Sequence, residues 1–327
     1  MYFKTDIEPR LSEFPIKFGD KILTLGSCFS EVIGSFFNKN KFNCLTNPFG
    51  NIYNFKSLLN VLEVTLKIKE LDVSKIIERE NTFYHLDYHS EVCGLSKDDL
   101  ILHIKEINNA VFEQLKSTDY LFITLGTSWV YKQIATNQTV SNCHKLPANI
   151  FTKEILDLEE QKSVFKKLHY ILSEVNPSLK IIITVSPVRH IKDKIEQNSV
   201  SKAILRLVCD FACKEFQNVE YFPSYEIMMD DLRDYRYYKA DLIHPNEIAE
   251  TYIIEKFKER YFNENDLLLL KKWDNIRSGL NHRPFNPKSN SHQTFLKNLM
   301  IKLESFETYF DVSAEKEIIQ NQLLSEA

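Results

Sequence analysis

The sequence predicts an α/β protein: a three-layer α/β/α, flavodoxin-like domain around a central, mostly parallel, five-stranded sheet, followed by a helical C-terminal extension. Three observations carry this reading. Short continuous apolar runs alternate with longer segments whose apolar residues recur at helical spacing, the pattern of a parallel sheet covered on both faces. The runs stop abruptly, two of them at Gly26 and Gly126 and one at Ser186-Pro187. Beyond residue 263 only helical patterning remains, which divides the chain into an α/β domain over 1–263 and a helical extension over 264–327.

The elements follow in order. Residues 1–20, with Pro9 and Pro15, read as an irregular arm. Ile22–Leu25 is the first strand; it ends at Gly26 and passes through Ser27-Cys28 into a helix over 31–37. Phe42–Leu45 is the second strand and runs into the turn-forming Asn47-Pro48-Phe49-Gly50-Asn51. Phe55–Lys69 is helical, residues 70–95 are less regular, and Ser96–Lys116 is a helix opened by Ser96, Asp98 and Asp99. Tyr120–Leu125 is a strong strand, and Val130–Val140 reads as a β-hairpin. A helix over Lys153–Val175 precedes the strand Lys180–Val185. Ser199–Phe216 is helical and Val219–Phe222 is the last strand. Asp241-Leu242-Ile243-His244-Pro245 stands before a helix ending near Phe262. In the extension a helix begins at Asp266, residues 281–287 break the pattern, and helices follow over 291–306 and 314–324.

Bulk properties narrow the function. In 327 residues the net charge is −4, with 43% hydrophobic and 26% charged residues, so no basic stripe marks a nucleic-acid binder. The start of the chain lacks the charged and apolar regions of a signal peptide, and no run of 18 apolar residues is present to span a membrane. Six cysteines without a C-x-x-C pair read as reduced thiols. Together these place the protein in the cytoplasm.

Two stretches carry chemistry. In Gly26-Ser27-Cys28-Phe29-Ser30 a strand turns directly into a helix, so Ser27 and Cys28 sit where unpaired N–H groups and the helix dipole favour negative charge. A thiol there is expected to have a depressed pKa, and either side chain is a candidate nucleophile. In Asp241-Leu242-Ile243-His244 an Asp stands three residues before a His, the base-plus-orienter half of a catalytic triad. Pro245 suits the first helical position and puts His244 at the helix entrance.

With these residues in view, the chain resembles the GSCFA family. The resemblance rests on Gly26–Ser30 (Ser30 standing where the family name has Ala), Asn47–Gly50, Leu125–Trp129, Asn142–Lys145, Thr184–His190 and Asp241–Pro245. That family is grouped with the SGNH (GDSL-like) hydrolases, α/β/α esterases and acyl transferases. The resemblance implies a nucleophile at Cys28, with Ser27 at the position of the block's Asp, an oxyanion role for Gly50 and for Ser128, and Asp241 and His244 as orienter and base. Neither the serine nucleophile nor the third block's Asn is present.

Other candidates have a bland rival each. His89, lining a cleft, His144, Arg189 and His190 are candidate substrate contacts, Arg189 and His190 for an anionic group. His85-x-x-x-His89 with Asp87 between them has no third ligand in pattern, so no metal is expected. The resulting expectation is an acyl-ester hydrolase or acyl (acetyl) transferase, with no metal or cofactor, acting on a small-molecule or carbohydrate substrate such as an O-acylated sugar or a cell-envelope precursor. The alternative is a catalytically degenerate binding protein that keeps the fold and works through a ligand or partner.

Overall fold

The computed structural model describes residues 6, 7 and 10–323. Pro9 of the expected arm and Leu324 of the last expected helix lie outside the described residues. Five strands form one parallel sheet: β1 (Lys21–Gly26), β2 (Asn43–Thr46), β6 (Tyr120–Leu125), β10 (Lys180–Val185) and β11 (Val219–Tyr221). Their order across the sheet is β2-β1-β6-β10-β11, every neighbouring pair parallel. Counted within the sheet this is 2-1-3-4-5, whose order reverses between β1 and β6. Open α/β sheets bind ligands beyond the strand ends at such a reversal.

The sheet is buried on both faces because its strands alternate apolar side chains between two cores. Leu23, Leu25, Leu121, Ile123, Ile181 and Ile183 point to a layer of α2 (Phe55–Thr65), α3 (Lys97–Leu115), α4 (Leu158–Val175) and α5 (Ile195–Glu215). Ile22, Tyr120, Phe122 and Ile182 point the other way, to α1 (Phe29–Lys39) and α7 (Glu247–Tyr261). Phe257 fills the centre of that second core, its ring within 6 Å of those of Phe36, Phe37, Phe122 and Phe222. The irregular arm is held along this layer by Ser12 N–H to Arg260 O and Ile16 N–H to Tyr261 O.

Two small antiparallel sheets stand apart from the main one. Within residues 70–95, β3 (Ile76–Arg79), β4 (Thr82–His85) and β5 (Cys93–Gly94) pair in sequence order. The expected hairpin is present as β7 (Trp129–Gln133) and β8 (Gln138–Val140), and it gains a third strand, β9 (Phe151–Ile155), against β7. This corrects the expected helix start at Lys153. Residues 151–155 are strand, and α4 begins only at Leu158, where Asp157 and Glu160 form a reciprocal capping box. Helix α5 likewise starts at Ile195, one turn before the expected Ser199.

Ser224–Glu226 (α6) and the π-helical turn Ile227–Leu232 follow β11 and lead to the loop that carries Asp241. Helices α8 (Glu264–Leu280), α9 (Asn290–Glu304) and α10 (Ser313–Gln320) gather their own apolar cluster around Trp273, Leu299, Leu303 and Phe306. They are docked on the α/β layer: Trp273 Nε1 donates to Lys39 O at 2.9 Å, and Lys41 pairs with Glu315 at 2.6 Å. No helix among the described residues is long and apolar enough to cross a membrane.

Candidate active site

The turn after β1 is fixed by groups that leave no room for another residue type at Gly26. Its φ is +130°, and a Cβ there would lie 2.1 Å from the Thr124 carbonyl oxygen on β6. Only glycine lets the two strand ends approach so closely. Gly26 N–H donates to Asn47 Oδ1 at 3.0 Å, Ser27 N–H to Thr124 O at 2.9 Å, and Ser30 Oγ to Leu25 O at 2.8 Å. Cys28 then occupies the N-cap of α1 without using its side chain as a cap. The thiol is left free for other work.

The thiol's surroundings differ from the expectation. Burial pushes the Cys28 pKa up, and Glu31 adds to this, while its own N–H and the Tyr53 hydroxyl pull the other way without winning. The helix terminus is present, but desolvation outweighs it. Tyr53 answers to the same contact: burial first, then Cys28, raises its hydroxyl to about 12, so it stays a proton donor facing the sulfur. Nothing in the sequence singled out Tyr53 among 15 tyrosines.

Across the cleft, His244 Nδ1 lies 2.7 Å from Asp241 Oδ2. The other carboxylate oxygen accepts the Ile243 and His244 N–H groups at 2.8 and 3.0 Å. Those two N–H bonds, with the imidazole, hold the Asp241 carboxyl well below the usual carboxylate range. A loop this tight carries strain: Leu242 has φ +58°, a left-handed conformation that a branched residue seldom adopts. The loop is pinned by Lys239 N–H to His244 O at 2.7 Å and by Arg189 N–H to Ile243 O at 3.2 Å. With Nδ1 committed to Asp241, Nε2 is the nitrogen left for chemistry. Cys28 and His244 line one cavity of about 490 Å³ beyond the β1 and β6 ends, together with Tyr53, Trp129, Ser141, Lys153 and His190.

The other expected residues fall differently. Ser27 is 1% exposed, lines neither cavity that Cys28 lines, and its buried Oγ has no hydrogen-bond partner among the described residues. Gly50 N–H donates to Asn47 O at 2.8 Å, and Ser128 Oγ donates to Ser201 O at 2.8 Å from a fully buried position. Both groups are therefore already spent in this structure, against the expected oxyanion role. Gly50 has φ +69° and packs so closely on His89 that a Cβ would sit 2.3 Å from the histidine's own.

His89 lines the cavity. His144 does not: it is 4% exposed, stacks on Tyr84, and has its two ring nitrogens near Ser90 Oγ and His85 O. Arg189 lines the cavity too; its guanidinium lies over the rings of Tyr235 and Tyr238, 5.0 and 4.5 Å from their centroids, while its backbone N–H holds the Asp241–His244 loop. His190 lines the cavity; burial, then the nearby Lys202, lower its pKa to about 3, so it is neutral. Lys202 itself is fully buried, donates to Ser186 O at 2.7 Å, and is lowered to about 7 by that burial. His85 and Asp87 serve the fold: Asp87 pairs with Lys75 at 2.8 Å and His85 meets Asp72 O at 3.0 Å.

Fold and site together define an α/β protein with a thiol and a carboxylate-paired imidazole facing one cavity at the reversal of its sheet. The chain belongs to the GSCFA family, whose model matches residues 21–257, and residues 273–325 match the model of the GSCFA domain protein C-terminal domain. Among curated proteins none is similar enough in sequence to match. Solved structures that resemble it include a provisionally assigned platelet activating factor from Streptococcus pneumonia, at 12% identity, TM-score 0.39, covering 74% of this chain and 83% of that one. A carbohydrate esterase family 3 protein from Talaromyces cellulolyticus is similar at 8% identity, TM-score 0.31, covering 77% and 98%.

Proposed function

We propose that the protein is an acyl-ester hydrolase or acyl transferase in which Cys28 attacks, His244 acts as base and Asp241 orients it. The observation that carries this reading is the shared cavity: the free thiol at the N-terminus of α1 and the Asp241-paired imidazole both line it. The order of the blocks along the chain, a small nucleophile after the first strand and an Asp-x-x-His before the last helix of the sandwich, is that of the SGNH hydrolases. We assign this chemistry to residues 1–263 and treat 264–327 as a helical extension.

In the reaction His244 Nε2 takes the Cys28 proton as the sulfur bonds to the acyl carbon. The carbon–oxygen ester bond then breaks, and the alcohol leaves with the proton from His244. Water or an acceptor hydroxyl, deprotonated by the same imidazole, then attacks the thioester carbonyl; the carbon–sulfur bond breaks, the acid or new ester leaves, and the imidazolium returns its proton to the sulfur. The raised thiol pKa fits this sequence, because the proton is lost to His244 during attack rather than beforehand. With Gly50 and Ser128 spent, the oxyanion donors in this reading are the Cys28 N–H and the Tyr53 hydroxyl, which face the sulfur at rest and pass to the oxyanion as negative charge leaves it. The substrate class we favour is an O-acylated sugar or cell-envelope precursor, met in the cytoplasm, where six free cysteines are at home.

The test is release of 4-nitrophenol from its acetyl ester by wild type beside Cys28→Ala, Ser27→Ala and His244→Ala, with and without an added alcohol acceptor. Loss in Cys28→Ala and His244→Ala but not Ser27→Ala is expected. The spent Gly50 and Ser128 groups favour a second reading, a ligand-binding protein without turnover; release by wild type no faster than in buffer alone would favour it.

A further inference from the structure

Cys28 does not stand at the end of one cavity but on the divide between two. The second is an open groove of about 740 Å³ that shares only Cys28, Val188 and His244 with the first. It leaves the thiol along the seam between α1 and α7. Phe29, Val32 and Phe36 form its α1 side at i, i+3 and i+7, one face of a helix. Ile254 and Thr251 line it from α7, and Asp274 and Arg277 of α8 stand at its far end.

The two compartments differ in what they ask of a ligand. In the smaller one, buried Trp129 Nε1, Ser141 Oγ and His190 Nε2 have no hydrogen-bond partner, so it suits a group rich in hydroxyls. In the groove, three of the cations are matched by neighbouring acids. Lys239 meets Glu250 at 3.5 Å, Lys258 meets Glu255 at 2.7 Å, and Arg277 meets Asp274 at 2.9 Å. Exposed Glu31, Lys39 and Glu247 line it as well, and deeper than these charges lies the half-buried strip of Val32, Phe36 and Ile254.

We propose that this groove holds the acyl chain of the substrate and that the chain is of medium length, with the alcohol portion in the smaller cavity. The assignment rests on the acyl-transfer reading for the position of the carbonyl at Cys28. Eight helical residues separate Cys28 from Phe36, about 12 Å of groove, which accommodates an acyl chain of about eight to ten carbons. The C-terminal helices then have a part in the site: α8 closes the far end of the groove.

The experiment has two arms on the full chain. Titration calorimetry with sodium acetate, butyrate, octanoate and decanoate is expected to show decanoate binding at least tenfold tighter than butyrate. Turnover of the matching 4-nitrophenyl esters is expected to rise in kcat/KM with chain length. Thr251→Trp, at an exposed position that fills the groove, and Ile254→Glu, which puts a charge in it, should each abolish the chain-length preference. The acetyl-ester rate should be unchanged in both. Equal affinity for all four acids, or a flat ester profile with acetyl turnover intact, overturns the groove assignment and leaves the acyl-transfer reading standing. Decanoate binding that Thr251→Trp removes, in a protein that turns over no ester, upholds the chain site and refutes the acyl-transfer reading.

Discussion

Tyr53→Phe removes one oxygen and tests how the thiol is held. In the structure the Tyr53 hydroxyl faces the Cys28 sulfur and, with the Cys28 N–H and Lys239, favours the thiolate against burial. A hydrogen bond to a charged acceptor contributes about 1.5–3 kcal/mol. Its loss should raise the Cys28 pKa further, because the thiolate then has one donor fewer to set against burial. The assay is the rate of iodoacetamide alkylation against pH, read peptide by peptide by mass spectrometry so that the other five thiols do not contribute. Wild type should already titrate above an ordinary cysteine, and Tyr53→Phe higher still. An unmoved or lowered pKa in the variant would refute the claim that Tyr53 serves the sulfur.

Other outcomes follow from the same geometry. Gly26→Ala forces a Cβ onto Thr124 O at a backbone angle suited to glycine, and should cost at least about 3 kcal/mol in urea unfolding. Asp241→Asn removes the charge on His244 Nδ1 while keeping the shape; ester turnover should fall roughly 10³–10⁴-fold with little change in KM. Burial keeps His190 neutral down to about pH 3, so its ring proton shifts in NMR should stay flat between pH 8 and 5. Because the unfolded chain binds that proton near pH 6.5, the stability linked to His190 is lost as pH falls below that value.

The sheet strands were legible because each is a short apolar run ended by glycine or proline, and a strand buried on both faces needs little else. Their order came with the flavodoxin-like class and not from the runs themselves, since alternation of strands and helices says nothing of which run lies beside which. Strand β9 escaped for a related reason: Phe151–Ile155 is defined by pairing with Trp129–Gln133, a partner some twenty residues away, and its residues run straight on towards a helix. The Asp157–Glu160 cap that marks the true helix start was readable in the letters.

In the site, Asp241 and His244 stood out because the carboxylate and imidazole are neighbours in the chain. Tyr53 did not, because its relation to Cys28 exists only once the loop after β2 folds across the end of β1. The same holds for Gly50 and Ser128. Their residue types suit an oxyanion donor, and only the fold reveals that Asn47 and Ser201 have already claimed them. The thiol pKa turned on burial, which a helix N-terminus in a sequence does not disclose.

The claim on which the account depends is a covalent one, that the acyl group passes through the Cys28 sulfur. Rapid acid quench of wild type mixed with an activated ester, followed by peptide mapping, reads this directly. An acyl group on the Cys28 peptide that forms and decays within the turnover time, and is absent in His244→Ala, is the predicted result. Turnover with that peptide unmodified at every time point, or the acyl group found on Ser27 instead, contradicts it.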